Sequence, residues 1–185
     1  MVCQLLILVR GINIFKWYRK AHRPIEWTYG EVSYYGLNKV FNEIPAQYLT
    51  SFMDIGSGNG KLVFFSRLLF KMNSIGIEID SNMAFYASVL RRFFCISKVS
   101  FIHSDVKLLQ LEDVAVYFFA GTCFSDETIR SILDQLNRKK HHFFVLSVSK
   151  PLENCDFKFN TYVPVLCSWG FDVVYIYEHL AETGV

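Results

Sequence analysis

Between Ser51 and Ile79 the chain reads SFMDIGSGNGKLVFFSRLLFKMNSIGIEI: an apolar strand, a glycine-dense turn, a helix, and a second strand ending near a carboxylate. Phe52, Met53 and Ile55 form a run too short for a helix, and Gly56, Gly58 and Gly60 interrupt it at once. Three glycines within five positions are what a backbone needs where it passes close to something else. At the carboxyl end of a parallel strand that neighbour is commonly a ligand, held by main-chain N–H groups at the start of the next helix.

The spacing narrows the ligand. In the dinucleotide fingerprint G-x-G-x-x-G the third glycine falls one residue later than it does here, where Asp54 to Gly60 reads D-x-G-x-G-x-G. Asp54 ends the strand, and a carboxylate beside a nest of N–H groups repels pyrophosphate but accepts hydrogen bonds from a cationic amine. S-adenosylmethionine carries such an ammonium and no phosphate. Eighteen residues past Gly60, Glu78 ends the second strand, where an acid accepts ribose hydroxyls. The competing reading leaves Asp54 as a cap for the helix that begins near Gly60.

A chain of 185 residues fits one domain. Residues 1–48 read as a helical segment with a covering loop, and 49–185 as the sheet. Hydrophobic residues make up 52% and charged residues 19%, which excludes a disordered chain. A net charge of +2 does not by itself point to a polyanion, so local patches would have to carry that case, and the sequence has no strong nucleic-acid signature. The five cysteines include no C-x-x-C pair, and no histidine sits at ligand spacing. They are expected to be reduced thiols in a cytosolic protein without a metal site. The opening MVCQLLILVRGINIFKWYRK is shorter in its apolar run than the ~20 residues of a membrane span. Apolar and basic residues mix from Ile12 to Lys20, which fits a helix lying on a membrane surface or one docked on the domain.

In order along the chain, Val32, Tyr35, Leu37, Val40, Phe41 and Ile44 predict an amphipathic helix ending near Pro45. Thr28 to Glu31 before it is either a helix-start turn or a loop over the ligand, with Tyr29 closing the pocket. Lys61 to Met72 reads as a helix with Leu62, Phe65, Leu69 and Met72 inward. Ser81 is expected to cap a helix running to about Phe94. Residues 99–103 form strand three, and Asp105 after it is either an acceptor for an adenine amino group or a turn carboxylate. Residues 114–120 form a buried strand four, whose end makes Thr122 and Phe124 acceptor-site candidates. Cys123 reads as structural, because methyl transfer from a sulfonium needs no covalent step. Ser125 and Asp126 open a helix to Leu136, and Arg138 to His142 reads as its solvated basic end. Strand five spans 143–149, and strands at about 158–167 and 171–178 close as a hairpin around Ser168-Trp169-Gly170. The fold expected is α/β: a doubly wound, mostly parallel seven-stranded sheet with an antiparallel C-terminal hairpin.

With these residues in place, the chain resembles the class I methyltransferases, and among them the disruptor-of-telomeric-silencing family of non-SET histone-lysine methyltransferases. The resemblance rests on YGE at 29–31, FMDIGSGNGK at 52–61, GIE at 76–78, SD at 104–105, CFSDE at 123–127, SVSKP at 147–151 and SW at 168–169. It implies that Tyr29 and Glu31 belong to a loop over the cofactor. It also implies that Asp54, Gly56, Ser57, Gly58 and Lys61 surround the methionine part, Glu78 the ribose, and Asp105 with Val106 the adenine. Phe124 and Trp169 would lie near a lysine channel. Ala120-Gly121 stand where the family's histone enzymes carry paired asparagines, and no long basic C-terminal extension is present. The implied reaction is in-line transfer of a methyl group to a lysine nitrogen held at ~3–3.5 Å. An aromatic channel of Phe124, Trp169, Tyr175 and Tyr177 would favour the neutral amine. Other acceptors left open are a small molecule, a lipid or RNA, and a cofactor-binding module without catalysis.

Overall fold

A computed structural model of the protein describes residues 30–121, 124–153 and 155–181. Strands β1 (Ser51–Ile55), β2 (Asn73–Glu78), β3 (Val99–His103), β4 (Val116–Ala120), β5 (Phe143–Val148), β6 (Lys158–Cys167) and β7 (Gly170–His179) form one sheet, in the order β3-β2-β1-β4-β5-β7-β6. The first five are parallel, and β7 lies antiparallel between β5 and β6. This is the expected doubly wound sheet with an antiparallel edge. Strand order reverses between β1 and β4, so the chain leaves their carboxyl ends in opposite directions and opens a crevice there.

Helices α1 (Tyr34–Asn42), α2 (Lys61–Phe70) and α3 (Ser81–Phe93) cover one face, and α4 (Asp126–Asn137) covers the other. Strand alternation sorts the core accordingly. Phe52, Phe118 and Phe144 meet Leu37, Phe41 and Phe65 on the first face. Met53, Ile55, Tyr117 and Phe119 meet Ile129, Ile132, Leu133 and Leu136 on the second. The same alternation puts Asp54 on the α1/α2 face, one step above Phe52. Among the described residues, no helix is long and apolar enough to cross a membrane.

Several boundaries differ from the sequence reading, each for a local reason. The first helix starts only at Tyr34, because the Ser33 hydroxyl accepts the Gly36 N–H and caps it. Val32 instead pairs with Cys167 at the sheet edge, and Tyr35 faces solvent. Asp80, not Ser81, caps α3, its carboxylate accepting the Asn82 and Met83 N–H groups. Leu69 is exposed while Val63 and Phe64 are buried, because α2 is wedged between α1 and α3 and needs two apolar flanks. Strand four begins at Val116, since the Val114 and Ala115 N–H groups go to the Tyr117 and Ser51 hydroxyls. Strand five stops at Val148, because Ser149 turns to φ 69°.

The run 138–142 is only partly a solvated helix end. Lys139 Nζ donates to the Leu111 carbonyl at 2.8 Å and to Asp113 at 2.5 Å. His142 bonds Glu178 at 2.8 Å and stacks on Tyr48 at 4.1 Å. Arg138 and Lys140 remain at the surface.

Candidate active site

The glycine turn is built by β2. Gly56 and Ser57 both donate their N–H to the Ile77 carbonyl, at 2.8 and 2.9 Å. Gly58 N–H donates to Glu78 Oε2 at 2.6 Å, and Gly60 N–H to the Ser57 carbonyl at 2.9 Å. Gly56, Gly58 and Gly60 all have positive φ, 83°, 54° and 84°. The turn is therefore pulled down onto β2, with Ser57 Oγ 2.6 Å from where a Gly76 Cβ would stand. The expectation that these N–H groups hold the ligand needs correcting: all four are committed within the protein. An anion would find no free donor among them and two carboxylates beside them, which accounts for a departure from the phosphate-binding spacing.

Those carboxylates are Asp54 and Glu78, on adjacent strands and on the same face, buried to 3% and 8% exposure. Glu78 accepts the Gly58 N–H on one oxygen and the Asp80 N–H, at 2.8 Å, on the other, leaving lone pairs on both. No described residue donates to the Asp54 carboxylate. Burial, and then the charge of Glu78, push the Asp54 pKa well above the ordinary carboxylate range. Burial raises that of Glu78 as well, against the hydrogen bonds from Asp80 and Gly58. Asp54 does not cap the following helix. That cap position is Gly60, which makes no side-chain bond. A buried acid without a donor, coupled to a second acid, is a receptor for a cation.

Lys61 is the cation closest in sequence, but it points elsewhere. Its ammonium donates to Glu31 Oε2 and to the Val32 carbonyl, both at 2.8 Å, and lies 4.6 Å above the Tyr34 ring. It clamps the segment before α1 onto the first turn of α2. Glu31 is held from the other side by Ser168, whose hydroxyl accepts the Glu31 N–H at 3.0 Å and whose N–H donates to the Glu31 carbonyl at 2.8 Å. The Trp169 ring lies so close to Gly30 that a Cβ there would stand 2.2 Å from it. The indole N–H is fixed by Asp172 at 2.7 Å. Nothing in the sequence near Ser168 or Asp172 marks them as supports of this segment. Ser168 lies 137 residues from Glu31, and no local pattern announces such a pairing.

At the crevice itself, the Phe124 ring covers Gly56, whose absent Cβ would be 2.9 Å from Cζ. Asp105 caps a short turn by accepting the Lys107 N–H at 2.9 Å, and it still lies at the carboxyl edge beyond β3. Val106 is buried. The turn-carboxylate reading of Asp105 is the one seen: one oxygen makes the cap and the other faces the Lys107 ammonium at 3.9 Å. Tyr29, Thr122 and Cys123 lie outside the described residues. Tyr177 does not line a channel. It is 5% exposed within the α4-side core, and its hydroxyl accepts the Leu152 N–H at 2.9 Å. Tyr175 packs partly buried against the same core. A wide polar groove of about 1010 Å³ between residues 107–113 and α4 contains none of the predicted site residues, and its lining mixes signs (Asp113, Glu127, Arg130).

Gly60 shows how tightly the turn is specified. A Cβ added there would meet Phe101 Cζ at 2.5 Å, at a φ of 84° that L residues avoid. Gly60→Ala is expected to cost about 2 kcal/mol, combining left-handed strain with overpacking, read as a lower denaturant midpoint at unchanged slope.

The sequence matches the family model described as histone methylation protein DOT1 over residues 16–136, well over half the chain. No curated protein sequence matches it. Solved structures sharing the fold include an RNA methyltransferase from Salinibacter ruber in complex with S-adenosyl-L-homocysteine. It is 17% identical with a TM-score of 0.59, over 80% of this chain and 92% of that one. A putative methyltransferase, yhhF, from Escherichia coli is 12% identical with a TM-score of 0.65, over 80% and 88%. A mutant of MtNAS in complex with S-adenosylmethionine is 13% identical with a TM-score of 0.61, over 96% and 71%. At these identities the structural likenesses concern the fold, while the family match reaches across the glycine turn and both acids. The crevice that refuses phosphate and asks for a cation thus belongs to a chain of the DOT1 family, an S-adenosylmethionine-dependent methyltransferase.

Proposed function

We infer that the acceptor is a lysine side chain of a protein, and that the predicted residues hold the cofactor in the roles the site allows. The observation that carries the site assignment is Asp54: buried, without a donor, and coupled to Glu78. Its carboxylate receives the cofactor's ammonium, and the lone pairs left on Glu78 receive the ribose hydroxyls. Asp105 and Val106 border the adenine. Glu31 and Tyr29 belong to the covering segment, with Lys61 as a positioning residue that acts through Glu31. When bound, the cofactor supplies an electrophilic methyl group on a sulfonium. The chain's own contribution is orientation and exclusion of water, since no acid is needed.

The lysine assignment is supported by the family match and by two aromatic rings at the site's segments, Phe124 against Gly56 of the turn and Trp169 against Gly30 beside the covering segment. Apolar rings disfavour the charged ammonium, so an acceptor amine that reaches such rings gives its proton to solvent and arrives neutral. The free thiols of Cys95, Cys155 and Cys167 fit a reducing, cytosolic setting. Incubating candidate proteins and cell extract with isotopically labelled cofactor, followed by mass spectrometry, is expected to place the label on lysine. Label found solely on RNA or on a small molecule would overturn the acceptor and leave the cofactor site standing.

A further inference from the structure

Between Ile55 and Ser104 the only acidic residues are Glu78 and Asp80. Both are buried, at 8% and 4% exposure. The lobe made by α2, α3 and β3 therefore turns no carboxylate to solvent, while Arg67, Lys71, Arg91, Arg92 and Lys98 reach its surface. Among the described residues, none of these five has an acidic partner, though Arg67 donates to the Lys71 carbonyl and Lys71 to the Leu68 carbonyl. In a chain with 19 basic and 17 acidic residues, this segregation produces a local positive field that a net charge of +2 conceals.

The same lobe carries an apolar ridge. Phe85, Val89 and Phe93 are 70%, 39% and 77% exposed. Spaced one helical turn apart, they form a single line along the outside of α3. The inner side of that helix is separately occupied by Ala84, Ala87 and Leu90, so the ridge is not a core face left uncovered. Leu69, at the end of α2, is 48% exposed. Single exposed apolar side chains are ordinary, but a line of them on a lobe that turns cations and no carboxylate to solvent is not.

We propose that this lobe docks on an anionic lipid bilayer, with the Phe85–Val89–Phe93 ridge entering the headgroup region and the flanking arginines and lysines meeting lipid phosphates. The charge pattern fits any polyanion, but the shape does not. Single-stranded nucleic acid is held in a basic groove with rings as stacking platforms, whereas this ridge is convex and runs along the outside of a helix. Large apolar side chains bordered by cations are what an interfacial helix presents to a membrane. The ridge begins near the crevice, since Asp80, the cap of α3, donates its N–H to Glu78. A docked molecule would hold its crevice at the membrane surface.

Flotation of the purified full chain with vesicles of mixed phosphatidylglycerol and phosphatidylcholine tests this, alongside vesicles of phosphatidylcholine alone and a competing oligonucleotide. Binding to the anionic vesicles is expected, roughly ten-fold weaker to the zwitterionic ones and reduced by high salt. Phe85→Ser with Phe93→Ser, and separately Arg92→Glu with Lys98→Glu, should each weaken it about ten-fold while cofactor affinity stays at the wild-type value. Should the serine pair misfold, the charge reversal decides alone. No binding, equal binding to both vesicle types, binding untouched by the reversal, or displacement from vesicles by the oligonucleotide would overturn the proposal.

Discussion

Asp54→Asn is expected to weaken S-adenosylmethionine binding by about 1.5–3 kcal/mol, roughly 10–100-fold, while making the ligand-free protein more stable. The two effects have one cause. In the free protein the Asp54 carboxylate is buried beside Glu78 with no described donor, so its pKa stands well above the ordinary value through burial and then through Glu78. A carboxyl group with a raised folded pKa binds more protons in the native state across the window above its unfolded pKa. Stability therefore falls as pH rises through that window. The asparagine variant removes this fall, which thermal melts at a series of pH values would record as a flatter profile. Calorimetry completes the test: in the wild type, cofactor affinity should rise with pH through the same window, because binding a cation there expels a proton. A variant with unchanged affinity, or a wild-type affinity indifferent to pH in that range, would refute the role given to Asp54. Glu78→Ala is expected to act in the same direction, by ~1–3 kcal/mol.

The second large effect falls on Lys61. Substituting methionine keeps the apolar stem but removes the charge that faces Glu31, the Val32 carbonyl and the Tyr34 ring together. The ammonium is 7% exposed and the Glu31 carboxylate 19%, so this pair is close to the buried limit. Its disruption is expected to cost about 3 kcal/mol, because a buried carboxylate loses its countercharge. Combining Lys61→Met with Glu31→Gln should recover most of that loss, a coupling that a double-mutant cycle would measure. If Lys61 acts by positioning, the KM for cofactor should rise while turnover at saturating cofactor changes much less. A double variant that loses the sum of the two single losses, and so shows no coupling, would detach Lys61 from the covering segment.

The strands and helices were largely legible because each is a local pattern. VYFFA and FFVLSV are uniformly apolar and become central buried strands. SNMAFYASVLRRF repeats its small and apolar inner residues at helical spacing. Failures occurred where a distant partner decided. Tyr35 fits the helical repeat of its segment yet faces water, because the Ser33 cap and the Val32–Cys167 bridge set the helix's start and rotation. Lys61 follows the glycine turn and reads as a cofactor contact, but Glu31 and Val32 sit where its ammonium can reach them. Tyr177 alternates correctly for a sheet face, but which face lines the crevice depends on β7 pairing with β5 rather than on β7 itself.

What the sequence determined alone was therefore the chemistry offered to a ligand: two acids at the ends of adjacent strands, three glycines between them, and a spacing unsuited to phosphate. Those are properties of residue type and short separation. Whether the turn's N–H groups remain free, which acid lacks a donor, and what the nearby lysine holds are consequences of strand register and of contacts spanning tens of residues. Hydrogen bonds are saturable and directional, so their allocation is settled only when all the competing partners have been brought together.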